Sequence, residues 1–461
     1  MRLPIPAASL SRPQLSPLPR ASLLVLASTL GLAIILVTYW PGWVSPDSIY
    51  QLQQARSGVF TDGHPPLMAW VWRWLDLAWP GPQGMLVLQN ALFWGGLALA
   101  CGIWIQSAVG AAVVLLIGLS PACFSNLGTV WKDIQMGAAL LAAFALLSKY
   151  RMDKNRVALG GSALCLCYAC AVRHNGIVTA APLVSWLAWL VTRRAPECRR
   201  RLYTVALAAA LLVGIGVTVR GVDGELTHGR SLHLEQQAIV HDLVALSVAT
   251  GTNLFPEPWR SGPSAVSLEE MRSLYLPESV NPLYSTSGPH FDIVTSPSDL
   301  LALERTWARA LFGHPGAYLR HRWLLFSRLL ALRGYGVYYP FAESAYLDDL
   351  QVAAVGVRYH WTPWDKFVHR ALLRVHNWVF FRGWCSLLAI VIVLALAWRR
   401  KPEGLDAALA LGASGILNVA PYFVFGPAPD FRYLWWTAIV ALVLPAVVWG
   451  KGFCGSAAGA R

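Results

Sequence analysis

The chain is poor in charge. Asp, Glu, Lys and Arg make up 13% of its 461 residues while 56% are hydrophobic, against roughly 25% charged in an ordinary soluble chain. That excludes a soluble enzyme and a solvated, disordered scaffold. Acidic residues are the scarcer sign, 24 against 37 basic, for a formal net charge of +13. In a soluble domain this excess would point to nucleic acid; in a chain this apolar, its position along a membrane topology carries the meaning, and no nucleic-acid partner is expected. Cysteine is missing from the long polar stretch between Gly221 and Trp378, where a disulfide-held secreted domain would carry it, so no structural disulfide is expected. Cys165, Cys167 and Cys170 lie close together, but in an apolar run rich in Ala and Gly, where close helix packing is a simpler role than metal binding. No G-x-G-x-x-G or Walker-type loop stands where a nucleotide would need one.

Long apolar runs are abundant. Runs able to cross a bilayer, about 17 to 25 residues for a helix, begin at Ala21, Gly84, Val109, Asp133, Val157, Gly176, Leu202, Gly383, Leu405 and Leu434. The sequence predicts an all-α polytopic membrane protein with ten transmembrane helices and a large outside loop domain. The first run ends in Trp40, Pro41 and Gly42 rather than a small-residue cleavage site, so an uncleaved first helix with a cytoplasmic N-terminus is expected. Under that parity the inside segments hold Arg2, Arg12 and Arg20, then Lys149 to Arg156, Arg193 to Arg201, Arg399 to Lys401, and Lys451 and Arg461. The short outside connections hold only Lys132, Arg173 and Arg432. The positive-inside rule therefore supports ten spans in a cytoplasmic membrane with both termini inside. The 22 Trp are expected to mark membrane boundaries, where the ring is buried and its N–H stays wet.

Three parts follow: residues 1–220, a transmembrane module whose first outside loop is 42–82; residues 221–378, an outside loop domain; and residues 379–461, the C-terminal transmembrane helices. In the first loop, Ser45 before Pro46 predicts a helix through about Arg56. A second is predicted from near Pro65 to Ala78, with Trp70, Trp72, Trp74 and Leu75 as an interfacial face. The outside domain is expected to hold Pro-rich turns at 255–263 and amphipathic helices at Leu300–Leu311 and Lys366–Trp378. The stretch from Tyr318 to Leu332, interrupted by Arg320, His321, Arg322 and Arg328, reads as a helix in the interface whose cations meet lipid phosphate.

This topology sends Asp47, Asp62, His64, Lys132, Asp133, Arg173, His174, Asp430 and Arg432 to one face. Charges at helix ends cost energy unless paired, hydrated or used on a ligand, so a functional site is the default reading. Carboxylates mixed with cations suit a reaction in which a carboxylate takes a proton from an acceptor hydroxyl while Lys and Arg steady a leaving phosphate. Each residue also has a purely structural reading. Asp47 and Asp133 complement helix N-termini, the latter also pairing with Lys132. Arg173 suits a snorkelling anchor, His64 a turn before two prolines, and Asp430 with Arg432 a local ion pair.

The Asp-centred first loop followed by HPPL, His64 to Leu67, resembles that of the polytopic GT-C glycosyltransferases, particularly bacterial members akin to protein mannosyltransferases and aminoarabinose transferases. LGTVWKD, Leu127 to Asp133, is similar to their second acidic motif, and PDFRYLWW, Pro429 to Trp436, to late-loop strings of related membrane proteins. The likeness covers about the first half of the chain. It implies Asp47 as catalytic base or orienting carboxylate, Asp133 near the donor phosphate or a metal, and Lys132 as a phosphate contact. His64, Arg173 and Arg432 join the substrate-binding set on charge and topology alone. Where the family often has a second acid, Ser48 follows Asp47, so a divalent metal is left open and no other cofactor is implied. The implied donor is a sugar on a polyprenyl phosphate, the acceptor a lipid, polysaccharide or protein of a bacterial envelope. A transporter or flippase for lipid-linked sugars is the competing reading, and an inactive scaffold relative the third. The span interiors carry few charges, which favours the enzyme over a transporter with midplane sites. Trp259, Trp307, Trp361 and Trp364 are open both to stacking on sugar rings and to interfacial anchoring.

Overall fold

Each of the ten apolar runs folds as helix, and the bends between them follow proline and local caps. A computed structural model describes residues 19–257, 259–260, 265–284, 290–332, 356 and 362–450. Arg2, Arg12, Lys451, Arg461 and Trp361, which figure in the sequence reading, lie outside the described residues. Among the described residues the chain is helical, with only isolated bridges at Trp43–Thr129 and Leu276–Ser279. The helices are α1 (Arg20–Tyr39), α2 (Pro46–Ser57), α3 (Pro66–Ala78), α4 (Gln83–Trp104), α5 (Val109–Gly118), α6 (Pro121–Leu127), α7 (Lys132–Asp153), α8 (Arg156–Val172), α9 (Gly176–Thr192) and α10 (Glu197–Thr227). The stretch expected to form the outside domain follows with α11 (Gln236–Thr250), α12 (Leu268–Leu274), α13 (Pro297–Gly313), α14 (Pro315–Leu329) and α15 (Pro363–Val375). The chain then returns through α16 (Gly383–Arg400), α17 (Leu405–Leu417), α18 (Pro421–Phe425) and α19 (Trp435–Trp449).

Among the described residues six helical segments are long and apolar enough to cross a membrane: α1, α4, α10, α16, α17 joined to α18, and α19 with the turn before it. α5 and α6 make a seventh if the pair, bent by 62°, is one span. The bend falls where Pro121 opens α6, since proline cannot donate to the preceding turn. α8 and α9 are apolar but shorter, 17 residues each. α7 is the buried centre: from Lys132 to Ala145 every residue is buried. Small residues allow this closeness. At Gly96 of α4, a Cβ would lie 2.9 Å from the Ala142 backbone nitrogen of α7.

Several expectations shift. α10 runs 31 residues, about 46 Å at 1.5 Å per residue, and so continues past Gly221, where the outside domain was expected to begin. Arg220, Asp223 and Glu225 end the apolar run without ending the helix. Trp72 does not share the interfacial face of Trp70 and Trp74: it is buried and its Nε1 donates to the Gly81 carbonyl at 3.0 Å. Residues two apart on a helix point about 200° apart, so the three could not lie on one face. α14 is not an interfacial helix along both faces either. Arg320 is exposed, but His321 and Arg322 are buried within the outside domain, so lipid phosphate is not their partner. That domain has its own core, including Val240, Leu243, Phe255, Met271, Phe291 and Leu303. Trp259 belongs to that core and Trp307 packs against it, which removes Trp259 from any sugar-facing surface. α15 opens three residues before Lys366 because Thr362 and Asp365 form a capping box, and it ends at Val375. Its Trp364 donates to Thr38 Oγ1 at 3.3 Å, laying the helix against the outer end of α1.

Candidate functional site

The first outside loop and the LGTVWKD string are tied by backbone before any charge is considered. Trp43 N donates to the Gly128 carbonyl at 2.8 Å and Val130 N to the Trp43 carbonyl at 2.9 Å. Trp131 Nε1 donates to Ser45 Oγ at 2.7 Å. Ser48, at the position where the resemblance leads one to look for a second acid, is buried and donates to the Val130 carbonyl at 2.6 Å. Ser48 is thus a strut between loops. Pro46 at the start of α2 puts Asp47 in the first helical turn, where the dipole favours a carboxylate.

All six residues singled out for the site converge. Arg432 Nη1 donates to Asp47 Oδ2 at 2.8 Å, and its Nε pairs with Asp430 Oδ2 at 2.8 Å. The local ion pair foreseen for Asp430 and Arg432 therefore exists but is only half of what Arg432 does. His64 Nε2 lies 3.8 Å from Asp47 Oδ1, and its Nδ1 contacts Lys132 Nζ. Asp133 pairs with Arg173 at 3.1 Å, not with its neighbour Lys132. Tyr433 joins the two ion pairs: the Arg173 guanidinium lies 5.0 Å from its ring centroid and that of Arg432 5.3 Å. Trp131 also faces Arg432, at 4.7 Å. Tyr422 stacks on Tyr433 at 4.9 Å and accepts from Arg173 Nη2 at 3.1 Å through its hydroxyl.

Exposure separates the two carboxylates. The Asp47 side chain is 32% exposed and that of Asp133 1%, so only Asp47 can meet an outside molecule. Burial pushes the Asp47 carboxyl up, but Arg432, Lys132 and His64 together pull it below the usual carboxylate range. His64 is pushed down to about 3 by burial and then by Lys132, against the pull of Asp47, so it is neutral at pH 7. Asp430 moves up, burial outweighing Arg432.

Two residues sent to this face do other things. Asp62 accepts from Ser231 Oγ and from Leu232 N, the latter at 2.6 Å, and so pins the loop after α10. His174 lines a cavity of about 480 Å³ between α8, α9 and α10. Its wall is mixed, with Cys170, Ile177, Val213 and Val217 on the apolar side and His174, Arg220 and Asp223 on the polar side. Burial, Lys132 and Arg173 lower His174, so the cavity is in electrostatic reach of the cluster. Sequence reasoning missed Trp131, Tyr422 and Tyr433. Tyr433 and Trp131 stand beside charges already singled out, but no local signal marks Tyr422.

Among the described residues no group of three His, Cys, Asp or Glu is placed to hold a metal ion. The donor set does not fit a divalent cation: Asp47 is engaged by Arg432, Asp133 by Arg173, and Lys132 adds a further cation acting on Asp47. No family model, curated protein or solved structure matches the chain.

Proposed function

We propose that the protein is an integral-membrane glycosyltransferase of the GT-C kind, moving a sugar from a polyprenyl-phosphate donor to an envelope acceptor at the outer face of the cytoplasmic membrane. The observation that carries this reading is a half-open carboxylate, Asp47, paired with Arg432 and pulled down by Lys132 nearby. α7, α8 and α9 complete the spans, for ten in all, and the basic residues at their inner ends set the orientation. The acceptor is a lipid, polysaccharide or protein hydroxyl.

In the reaction, the acceptor oxygen attacks the anomeric carbon as the bond from that carbon to the phosphate oxygen breaks. The acceptor proton passes to Asp47, and the phosphate leaves with the electron pair, its charge met by Lys132 and Arg432. Held by Arg432, Asp47 is a weak base. When the donor phosphate draws Arg432 toward itself, the carboxylate loses its partner and its basicity rises, so base strength is coupled to donor binding. Asp133, buried, holds Arg173 in place rather than handling a proton. The apolar side of the cavity between α8, α9 and α10 is a seat for the lipid chain, with the head group directed toward the cluster.

The test is sugar transfer from a polyprenyl-phosphate donor in membranes carrying wild type or Asp47→Asn at matched insertion. A loss of about 10² or more in the variant supports the reading. Equal transfer in both sinks the base assignment. Movement of the intact donor across the bilayer without any product would instead favour a flippase.

A further inference from the structure

We infer that Arg322, in the outside domain, is a positioning residue: it holds the backbone between Tyr422 and Arg432 and thereby keeps the cation that faces Asp47 in place. The inference rests on the transferase reading for its kinetic arm only. Arg322 is 1% exposed, a guanidinium inside a domain core with no direct contact to the site. Its charge is met by Asp242 of α11, with Nη2 at 2.7 Å from Oδ2, and that oxygen also accepts from Trp307 Nε1 at 2.9 Å. Pairing alone is a weak reason to keep such a charge, because a buried ion pair is often replaceable by apolar side chains of similar volume.

Of the remaining guanidinium bonds one stays within the domain, Nη2 donating to the Ala238 carbonyl of α11 at 3.3 Å, and the other leaves it. Arg322 Nη1 donates to the Gly426 carbonyl at 3.3 Å, outside its own domain core. The next residue is held as well, Val280 N donating to the Pro427 carbonyl at 3.3 Å. Gly426 is seated tightly, since a Cβ there would lie 2.5 Å from the Tyr422 carbonyl oxygen and 3.0 Å from Leu325 of α14. On one side of this anchored stretch stands Tyr422, which receives Arg173 and Asn175. On the other stand Asp430 and Arg432, and Arg432 reaches Asp47. A planar fork can hold Asp242 with one nitrogen and a carbonyl with the other, whereas a lysine offers a single point.

Arg322→Lys separates the two roles by keeping the charge opposite Asp242 while giving up the fork. Gly426→Ala displaces the same loop while keeping Arg322, Asp242 and Trp307, its added methyl meeting the outside domain at the Leu325 side chain, so it decides the matter if the lysine variant unfolds that domain. In either variant we expect faster amide exchange confined to residues 426–433, with α11 and α13 still protected. Transfer should fall about ten- to a hundredfold in kcat, with the donor KM raised as well because Arg432 also meets the donor phosphate. The acid limb of the pH profile should move to higher pH, because Asp47 would then face only Lys132 and His64. Wild-type exchange in both variants overturns the inference, as does an unshifted acid limb alongside lowered kcat. A wild type that transfers nothing counts against the proposed function instead, and the exchange measurement still decides the role of Arg322.

Discussion

Arg432 and Asp47 meet at 2.8 Å across 385 positions of sequence. The pair joins the turn before the last helix to the first turn of the first outside loop. Arg432 is also the largest of the influences that hold the Asp47 carboxyl below the usual carboxylate range.

Replacing Arg432 by Gln should therefore raise the Asp47 carboxyl toward its ordinary value of about 3.9. In the wild type the depressed folded value means that the pair's stabilisation is present above the unfolded carboxylate pKa and lost as pH falls through the folded one. The variant should lose that acid-side dependence, and its transfer activity should fall away at a higher pH than the wild type's. Melting and activity profiles from pH 3 to pH 8 read both effects; identical acid limbs would show that Arg432 does not set the state of Asp47.

Asp133→Leu leaves Arg173, only 12% exposed, without its ionic partner. Removing one member of a buried pair costs about 3 kcal/mol, read as a lowered unfolding midpoint in detergent. Asp133→Leu combined with Arg173→Met should recover much of the loss. If the double variant is as unstable as the sum of the singles, the two do not act as a pair.

The approach of α4 to α7 sets the spacing on which the site is built. Gly96→Val should destabilise by about 1–3 kcal/mol, since its Cβ would meet the Ala142 backbone. Gly95→Val, where nothing lies within 4 Å, should be close to neutral. Equal melting of the two variants would show that the contact does not limit packing.

Cys198 is an exposed free thiol at the start of α10, on the side assigned to the cytoplasm. In a background with the other cysteines replaced, an impermeant maleimide should label it in inverted vesicles and not in right-side-out ones. Ser57→Cys, exposed at the end of α2, should show the reverse. The opposite pattern would invert the topology and with it the compartment of the site.

Features that depend on neighbours along the chain were legible before any fold was known. Apolar runs set the helices, and prolines at helix starts placed α2 and α3 within a residue or so, because hydropathy and capping are local. Which cation meets which carboxylate follows from the packing of the helices instead. Lys132 and Asp133 are adjacent, yet one contacts His64 and the other pairs with Arg173, because successive residues on a helix point about 100° apart. Arg322 reads as an interfacial charge until Asp242, 80 positions away, supplies the partner that lets it be buried. Tyr422, which no local signal marks, enters the site because α18 and the turn before α19 fold back to stack it on Tyr433. Charge partners are chosen by proximity in space, and that is set by how the helices pack.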